Sequence, residues 1–179
     1  MVRREGRRRG GHGDMLETAL IPGESWFRVS DRHPNVVAMY RRHYSWERNK
    51  SDYADLLRFG IVGPCEKLVL MTPNGDAVFA WAHPLPDFND GYEGVRCTIF
   101  RNEGPRLSST LIQEADRLAW GRWPEDRHYT WIWDTKVRSA NPGYCFKIAG
   151  WRYAGRNKDG SLSLLEIRRS WAITVTTDD

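Results

Sequence analysis

Val95-Arg96-Cys97-Thr98-Ile99-Phe100-Arg101-Asn102-Glu103-Gly104-Pro105-Arg106-Leu107-Ser108-Ser109 is the stretch on which the fold turns. Its first six residues are apolar and β-branched at alternate positions and predict a strand. Glycine and proline then break the pattern, and Ser108 or Ser109 is placed to cap a helix by accepting a hydrogen bond from a first-turn N–H. Leu107, Leu111, Ala115, Leu118 and Ala119 recur at helical spacing as far as Trp123-Pro124. A strand entering a helix through a glycine-bearing turn is a place where backbone N–H groups and the positive end of a helix dipole receive an anion.

Downstream, residues 128–133 are mostly aromatic or branched and read as a strand buried on both faces, with Asp134 at its end. Asn141-Pro142 puts a capping side chain before an early proline, and Gly150 closes the short helix that follows. Residues 151–154 and 162–167, joined by Asn157-Lys158-Asp159-Gly160, predict a final hairpin. Upstream, residues 67–72 and 77–82 flank Pro73-Asn74-Gly75-Asp76, and Asn-Gly accepts the positive backbone angles of a tight turn. A strand at 26–29 leads through Asp31-Arg32-His33-Pro34 to a helix over 35–44. Residues 46–64 read as a charged loop with one helical turn near 52–58.

The chain has 179 residues, 40% hydrophobic and 12% aromatic, enough for one domain with a sizeable core. Most of its nine tryptophans are expected in that core. The formal charge of +4 sits at the start, where Arg3, Arg4, Arg7, Arg8 and Arg9 face only Glu5. Residues 1–13 are therefore expected to be a disordered basic tail, residues 14–169 the folded domain, and 170–179 a frayed end. Cys65, Cys97 and Cys145 are scattered, and His83 and His128 have no partners at ligand spacing, so neither disulfides nor a metal site is expected. No apolar run approaches bilayer length, and a cytoplasmic protein without membrane contact is expected.

The resulting α+β order is strand, helix, hairpin, strand, helix, strand, short helix and closing hairpin, and it resembles the GNAT acyltransferases, a single domain with a mixed central sheet flanked by helices. Asn141-Pro142-Gly143-Tyr144-Cys145-Phe146-Lys147-Ile148-Ala149-Gly150-Trp151 is similar to that family's later motif. The resemblance implies acetyl-CoA or a related acyl-CoA as cofactor. Its pyrophosphate would meet Arg101, Asn102, Gly104, Arg106 and Ser108, with Asn141 near the cofactor arm. Arg101 and Gly104 fit the family's turn, whereas Arg106 stands at its last small position and Pro105 removes a donor.

A narrower resemblance is to the Mom-type proteins of bacteriophages, which modify adenine in DNA. It rests on His43-Tyr44-Ser45, on Arg101, Asn102 and Ser109, and on Asp134 followed by Tyr144 and Gly150-Trp151. It implies DNA as partner, the cytoplasm of a phage-infected host as location, and His43, Tyr44 and Ser45 as substrate contacts. The catalytic set expected is Asp134 as base, from its place at a strand end, Tyr144 as the acid that the GNAT resemblance implies, and Ser109 as a phosphate ligand or a positioning hydroxyl, with a backbone N–H near Phe100 for the oxyanion. Each residue also has a plainer role: Asp134 as turn former, the serines and Asn141 as caps, Tyr144 as packing, His43 as a helix-end histidine. Two further readings follow from the same residues: an acetyl-CoA-dependent N-acetyltransferase acting on a small-molecule or protein amine, and a non-catalytic nucleic-acid-binding module.

Overall fold

The computed structural model describes residues 19–20, 25–49, 51–85, 91–137 and 139–173. The basic stretch 1–13 and residues 174–179 lie outside them. Among the described residues, eight strands form one sheet in the order β1-β2-β3-β4-β5-β6-β8-β7. In chain order they are β1 (Ala19–Leu20), β2 (Phe27–Val29), β3 (Glu66–Met71), β4 (Ala77–His83), β5 (Val95–Asn102), β6 (Arg127–Trp133), β7 (Arg152–Arg156) and β8 (Leu162–Arg168). The helices are α1 (Pro34–Arg41), α2 (Tyr44–Asn49), α3 (Tyr53–Phe59), α4 (Ser108–Arg122), α5 (Tyr144–Ile148) and α6 (Arg169–Ile173).

The hairpin of β3 and β4 forms where Asn74-Gly75 predicts it, with Gly75 at a φ of 69°. Thr72 locks the turn: its hydroxyl accepts from the Asp76 and Ala77 N–H groups and donates to the Asp76 carboxylate. Six consecutive residues of β4 are buried, as a central strand covered on both faces requires. One face carries α4 and α5 over a cluster that includes Trp26, Phe79, Trp81, Leu111, Ile112, Phe146 and Trp151. The other carries α1 and α3 over Val36, Val37, Met39, Leu56, Val69 and Ile99. Five tryptophans, Trp26, Trp81, Trp120, Trp123 and Trp151, are buried, in keeping with the expected core role.

Several local expectations need correction. The first helix stops at Arg41 and a second starts at Tyr44, so His43-Tyr44-Ser45 forms a junction and not a helix end. The 46–64 stretch holds the rest of α2 and all of α3. Strand β6 alternates at its end, where Trp131 and Trp133 are only half-buried. Residues 169–173 are helical, because Asp126 accepts the Arg169 N–H on its backbone and the Ser170 N–H on its carboxylate. The Arg152 guanidinium also lies 4.5 Å over the Trp171 ring.

Candidate active site

Among the described residues, strands β5 and β6 are the one parallel pair in the sheet, and their pairing covers Val95–Cys97 against His128–Thr130. Two features end it. The register of β5 against β4 slips between Ala80↔Ile99 and Trp81↔Cys97, which makes Thr98 the extra residue of a β-bulge. The Thr130 hydroxyl then donates to the Cys97 carbonyl at 3.0 Å, taking the bond a further strand residue would have made. The bulge also re-aims the strand: Val95 and Cys97 join the α4–α5 core, whereas Ile99 joins the α1–α3 core. Beyond Thr98 the two strands are no longer paired, and their C-terminal ends leave a cleft in the sheet.

The α1–α2 junction enters that cleft. His43 is buried; its Nδ1 accepts from the Ser45 N–H at 3.2 Å and its ring is hydrogen-bonded to the Phe100 backbone. Burial, with Arg101 nearby, lowers its pKa to about 4, so the imidazole is neutral at pH 7. The Tyr44 ring stacks on His43 at 4.1 Å and meets Trp133 edge-on at 6.5 Å. Burial, reinforced by Cys97, Cys145 and Asp134, pushes the Tyr44 pKa up to about 12, against a hydrogen bond with the Trp133 backbone. This phenol therefore holds its proton between β5, β6 and α5.

Asp134 closes the other side. Its Oδ2 accepts from the Ser163 hydroxyl at 2.7 Å and pairs with Arg156 at 3.0 Å, while its Oδ1 is buried with no hydrogen-bond partner among the described residues. Tyr144 is 56% exposed at the start of α5, whose buried position is Phe146. A five-residue helix has few inward positions, and those go to Cys145 and Phe146, which pack against the core. Asn141 does not cap α5. The cap is Gly143 in the left-handed region at φ 73°, and Asn141 Oδ1 accepts from Lys147 at 2.5 Å.

The turn into α4 brings together Arg101, Asn102, Gly104, Arg106, Ser108 and Ser109, but most of their polar atoms are engaged in building it. Asn102 donates to the Arg106 carbonyl at 2.7 Å and to the Ser108 hydroxyl at 3.0 Å, and accepts from the Gly104 N–H at 3.0 Å. A Cβ at Gly104 would lie 2.4 Å from the Asp76 carboxylate, so a side chain there would force Asp76 to shift. The Arg106 side chain bonds Ser25, which itself donates to Glu114 at 3.1 Å. Arg101 donates to Glu103 at 2.5 Å and to the Arg42 carbonyl at 2.7 Å, and Arg42 grips Glu103 with two bonds of 2.8 and 2.7 Å. Arg42, aided by Arg101, holds Glu103 down at about 2, so two guanidiniums outweigh one carboxylate on this rim.

Neither serine caps α4. Its N-cap is Leu107, which is 72% exposed and makes no side-chain cap bond, and the first helical bond runs from Leu111 N to Leu107 O. The first-turn N–H groups of Ser108, Ser109 and Thr110 thus have no partner within the 15-residue helix. This end of α4 fits an anion better than the preceding loop does, where Pro105 has no N–H and the Glu103 and Gly104 N–H groups are turned inward.

A mixed sheet flanked by helices, with one parallel pair that parts, matches the GNAT acetyltransferase fold, and solved structures of that fold superpose on this chain. No protein-family model matches the chain, and no curated protein is similar in sequence. The aminoglycoside acetyltransferase AAC(6')-Ib in complex with coenzyme A matches with a TM-score of 0.62 and 14% identity, over 86% of this chain and 99% of that one. AAC(6')-Ib in complex with paromomycin and acetyl-CoA matches with a TM-score of 0.64 and 13% identity, over 87% and 98%. The same values hold for its complex with ribostamycin and coenzyme A.

The residues that sequence reasoning missed are Thr98, Arg42, Glu103, Ser163 and Arg156. Arg42 and Glu103 are 61 positions apart, and Ser163 and Asp134 are 29 apart, so no local spacing links them.

Proposed function

We propose that this protein is an N-acyltransferase that moves an acyl group from an acyl-CoA thioester to the amine of a small molecule. The observation that carries the reading is the parting of β5 from β6 after Cys97 and Thr130, directly before the uncapped first turn of α4. Two acetyltransferase complexes of this fold hold coenzyme A and one holds acetyl-CoA, which supports the same donor here.

The N–H groups of Ser108, Ser109 and Thr110 would hold the pyrophosphate, reinforced by the helix dipole and by the positive rim of Arg42, Arg101 and Arg106. The bound thioester supplies an activated acyl carbon. On the protein side, the Asp134 carboxylate would take a proton from the incoming amine, and a β5 backbone N–H near Phe100 would be the donor for the acyl oxygen. Tyr44 supplies the proton for the departing sulfur. Tyr44 replaces Tyr144 in this role because it is half-buried near Asp134 and Cys145 and its raised pKa keeps it a donor, whereas Tyr144 is solvent-exposed.

Calorimetry and thermal melting with acetyl-CoA and CoA test the reading. Binding at micromolar to low millimolar concentration, with a rise in Tm, is expected; an absence of heat and of stabilisation at millimolar ligand overturns it. Adenine in DNA is the narrower acceptor implied by the Mom-type resemblance. The arginines that would favour DNA lie outside the described residues, and the small-molecule reading has the support of the fold matches. Mass spectrometry of nucleosides from cells making the protein separates the two, an altered adenine deciding for DNA.

A further inference from the structure

A cavity of about 410 Å³ opens beside the cleft at Ser45 and Thr98, and Asp134 is not among its walls. The carboxylate is aimed instead from the strands behind it. Nor is it spent on the turn that follows, where the Lys136 and Val137 N–H groups both go to the Trp133 carbonyl, at 3.0 and 3.3 Å. Its Oδ2 receives the Ser163 hydroxyl at 2.7 Å and Arg156 Nη2 at 3.0 Å. Ser163 stands in register with Ile132 on β6 and with Arg156 on β7, so three neighbouring strands bring the three side chains together. A second β-bulge sets that alignment. Arg152↔Glu166 and Tyr153↔Leu165 follow one register, Gly155↔Leu164 and Arg156↔Ser163 the next, which makes Ala154 the extra residue. Without it Arg156 would stand opposite Leu162, and a slip of one residue turns a strand side chain to the other face of the sheet. The guanidinium is steadied at its other end, where Nη1 donates to the Gly160 carbonyl at 2.6 Å in the β7–β8 turn.

We infer that Arg156 is a positioning residue of the transfer reaction, which together with Ser163 holds the Asp134 carboxylate in the orientation that receives the proton of the attacking amine. The inference rests on the transferase reading above and adds the closing hairpin to its site. Two donors on Oδ2 fix the rotation of the carboxyl group, and Oδ1 is turned inward, where it is buried. A base already oriented spares the reaction the cost of orienting it, and a misplacement of about 1 Å costs on the order of a hundredfold in rate. Arg156 is half-exposed, so its ion pair adds little to folding stability while still fixing a direction. That separates a kinetic role from a structural one. In the step itself the amine nitrogen forms the amide C–N bond and gives one proton to Asp134. The thioester C–S bond breaks, and the sulfur takes one proton from Tyr44. Asp134 and Tyr44 return to their starting forms by exchanging a proton through solvent.

The test uses the full chain. Acetyl-CoA binding is measured by calorimetry, and kcat and KM from thiol release with phenethylamine, spermidine and paromomycin, or from acetyl-CoA hydrolysis where none of these amines is turned over. Arg156→Met, Arg156→Lys, Ser163→Ala and Asp134→Asn are compared, together with the double variant of Arg156→Met and Asp134→Asn. Arg152→Met removes a cation from the same strand, one that lies over Trp171, and serves as the control. Arg156→Met is expected to lower kcat roughly fivefold or more, with both KM values and the urea midpoint little changed. Arg156→Lys should recover part of that loss, Ser163→Ala should lose less, and Arg152→Met should keep the native kcat. In the Asp134→Asn background, Arg156→Met should change kcat by less than about twofold, because the group it positions is gone. An Arg156→Met protein with native kcat, or one whose loss is as large in the Asp134→Asn background, overturns this inference alone, since a side chain that only braces the hairpin acts whether or not Asp134 is there. If Arg156→Met does not fold, Arg156→Lys and Ser163→Ala carry the same comparison. If acetyl-CoA does not bind or its thiol is never released, or if Asp134→Asn turns over as fast as the native chain, the transferase reading with Asp134 as base fails and takes the inference with it.

Discussion

Two clusters of polar side chains occupy opposite faces of one sheet, and they differ in whether solvent reaches them. Under α4, Asp116 receives His128 Nδ1 at 2.7 Å on one oxygen and Trp151 Nε1 at 2.9 Å on the other, and the His128 ring is sandwiched by Trp81 and Trp120, each with its centroid 4.5 Å away. The Asp–His pair has the composition of a catalytic dyad, yet it is sealed, and burial pushes the Asp116 carboxyl up against the opposing bonds from His128 and Trp151. On the α1–α2 side, Tyr44, Asp134 and Thr98 are half-buried beside the cleft. An acid–histidine contact marks a catalytic site only where a reactant can reach it; here it joins α4, β6 and the chain after α5.

The comparison breaks most sharply at Asp116. Asp116→Ala strands the His128 and Trp151 donors, and at 1–3 kcal/mol for each unsatisfied buried group a loss of about 4 kcal/mol is expected in urea unfolding. A loss under 1 kcal/mol would mean that the cluster is not the sealed knot described.

Next comes acid. His43 has a folded pKa of about 4 against an ordinary 6.5, so between those values the unfolded chain binds more protons. Its contribution is complete above pH 6.5 and is lost as pH falls toward 4, about 3 kcal/mol in all. His43→Gln should flatten this part of the stability profile. Glu103, held at about 2, acts at lower pH: its contribution is present above pH 4.5 and lost as pH falls toward 2.

At the cleft, Tyr44→Phe is expected to lower kcat roughly a hundredfold with acetyl-CoA affinity unchanged, the size of a lost general acid. An equal effect from Tyr144→Phe, with none from Tyr44→Phe, would move the acid back to α5. Asp134→Asn should lower kcat by roughly tenfold or more and shift its pH profile, while urea stability changes little, because Arg156 is half-exposed. The smallest effect is expected at the rim, where Glu103→Gln releases Arg42 and Arg101. The pair is largely solvated, so the change in stability should stay under about 1 kcal/mol.

Much of the fold was legible in the sequence. Asn74-Gly75 placed the β3–β4 hairpin, and the apolar spacing from Leu111 to Ala119 placed α4, because turn chemistry and helical period are local properties. The junction at His43 was not legible: nothing between Asn35 and Ser45 breaks helical spacing, and what ends α1 is the pull of His43 into the cleft toward Phe100. The serine caps failed for a related reason, since Asn102 engages Ser108 before it can cap. Of the residues nominated for the site, Asp134, Tyr44, Ser45 and Ser109 border the cleft, the cavity or the α4 terminus. Tyr144 stays outside, because a five-residue helix had only Cys145 and Phe146 to turn inward.

The sequence by itself determined the order of elements, the tight turns, the apolar faces and the glycine-bearing turn into α4, since each follows from backbone freedom or hydrophobic period within a few residues. Only the tertiary structure decided where β5 parts from β6, which tyrosine enters the cleft, and where a cavity opens beside it. A bulge is a mismatch between two strands, a raised pKa is a property of surroundings, and a cavity belongs to no single segment, so all three exist only once distant parts of the chain are packed together.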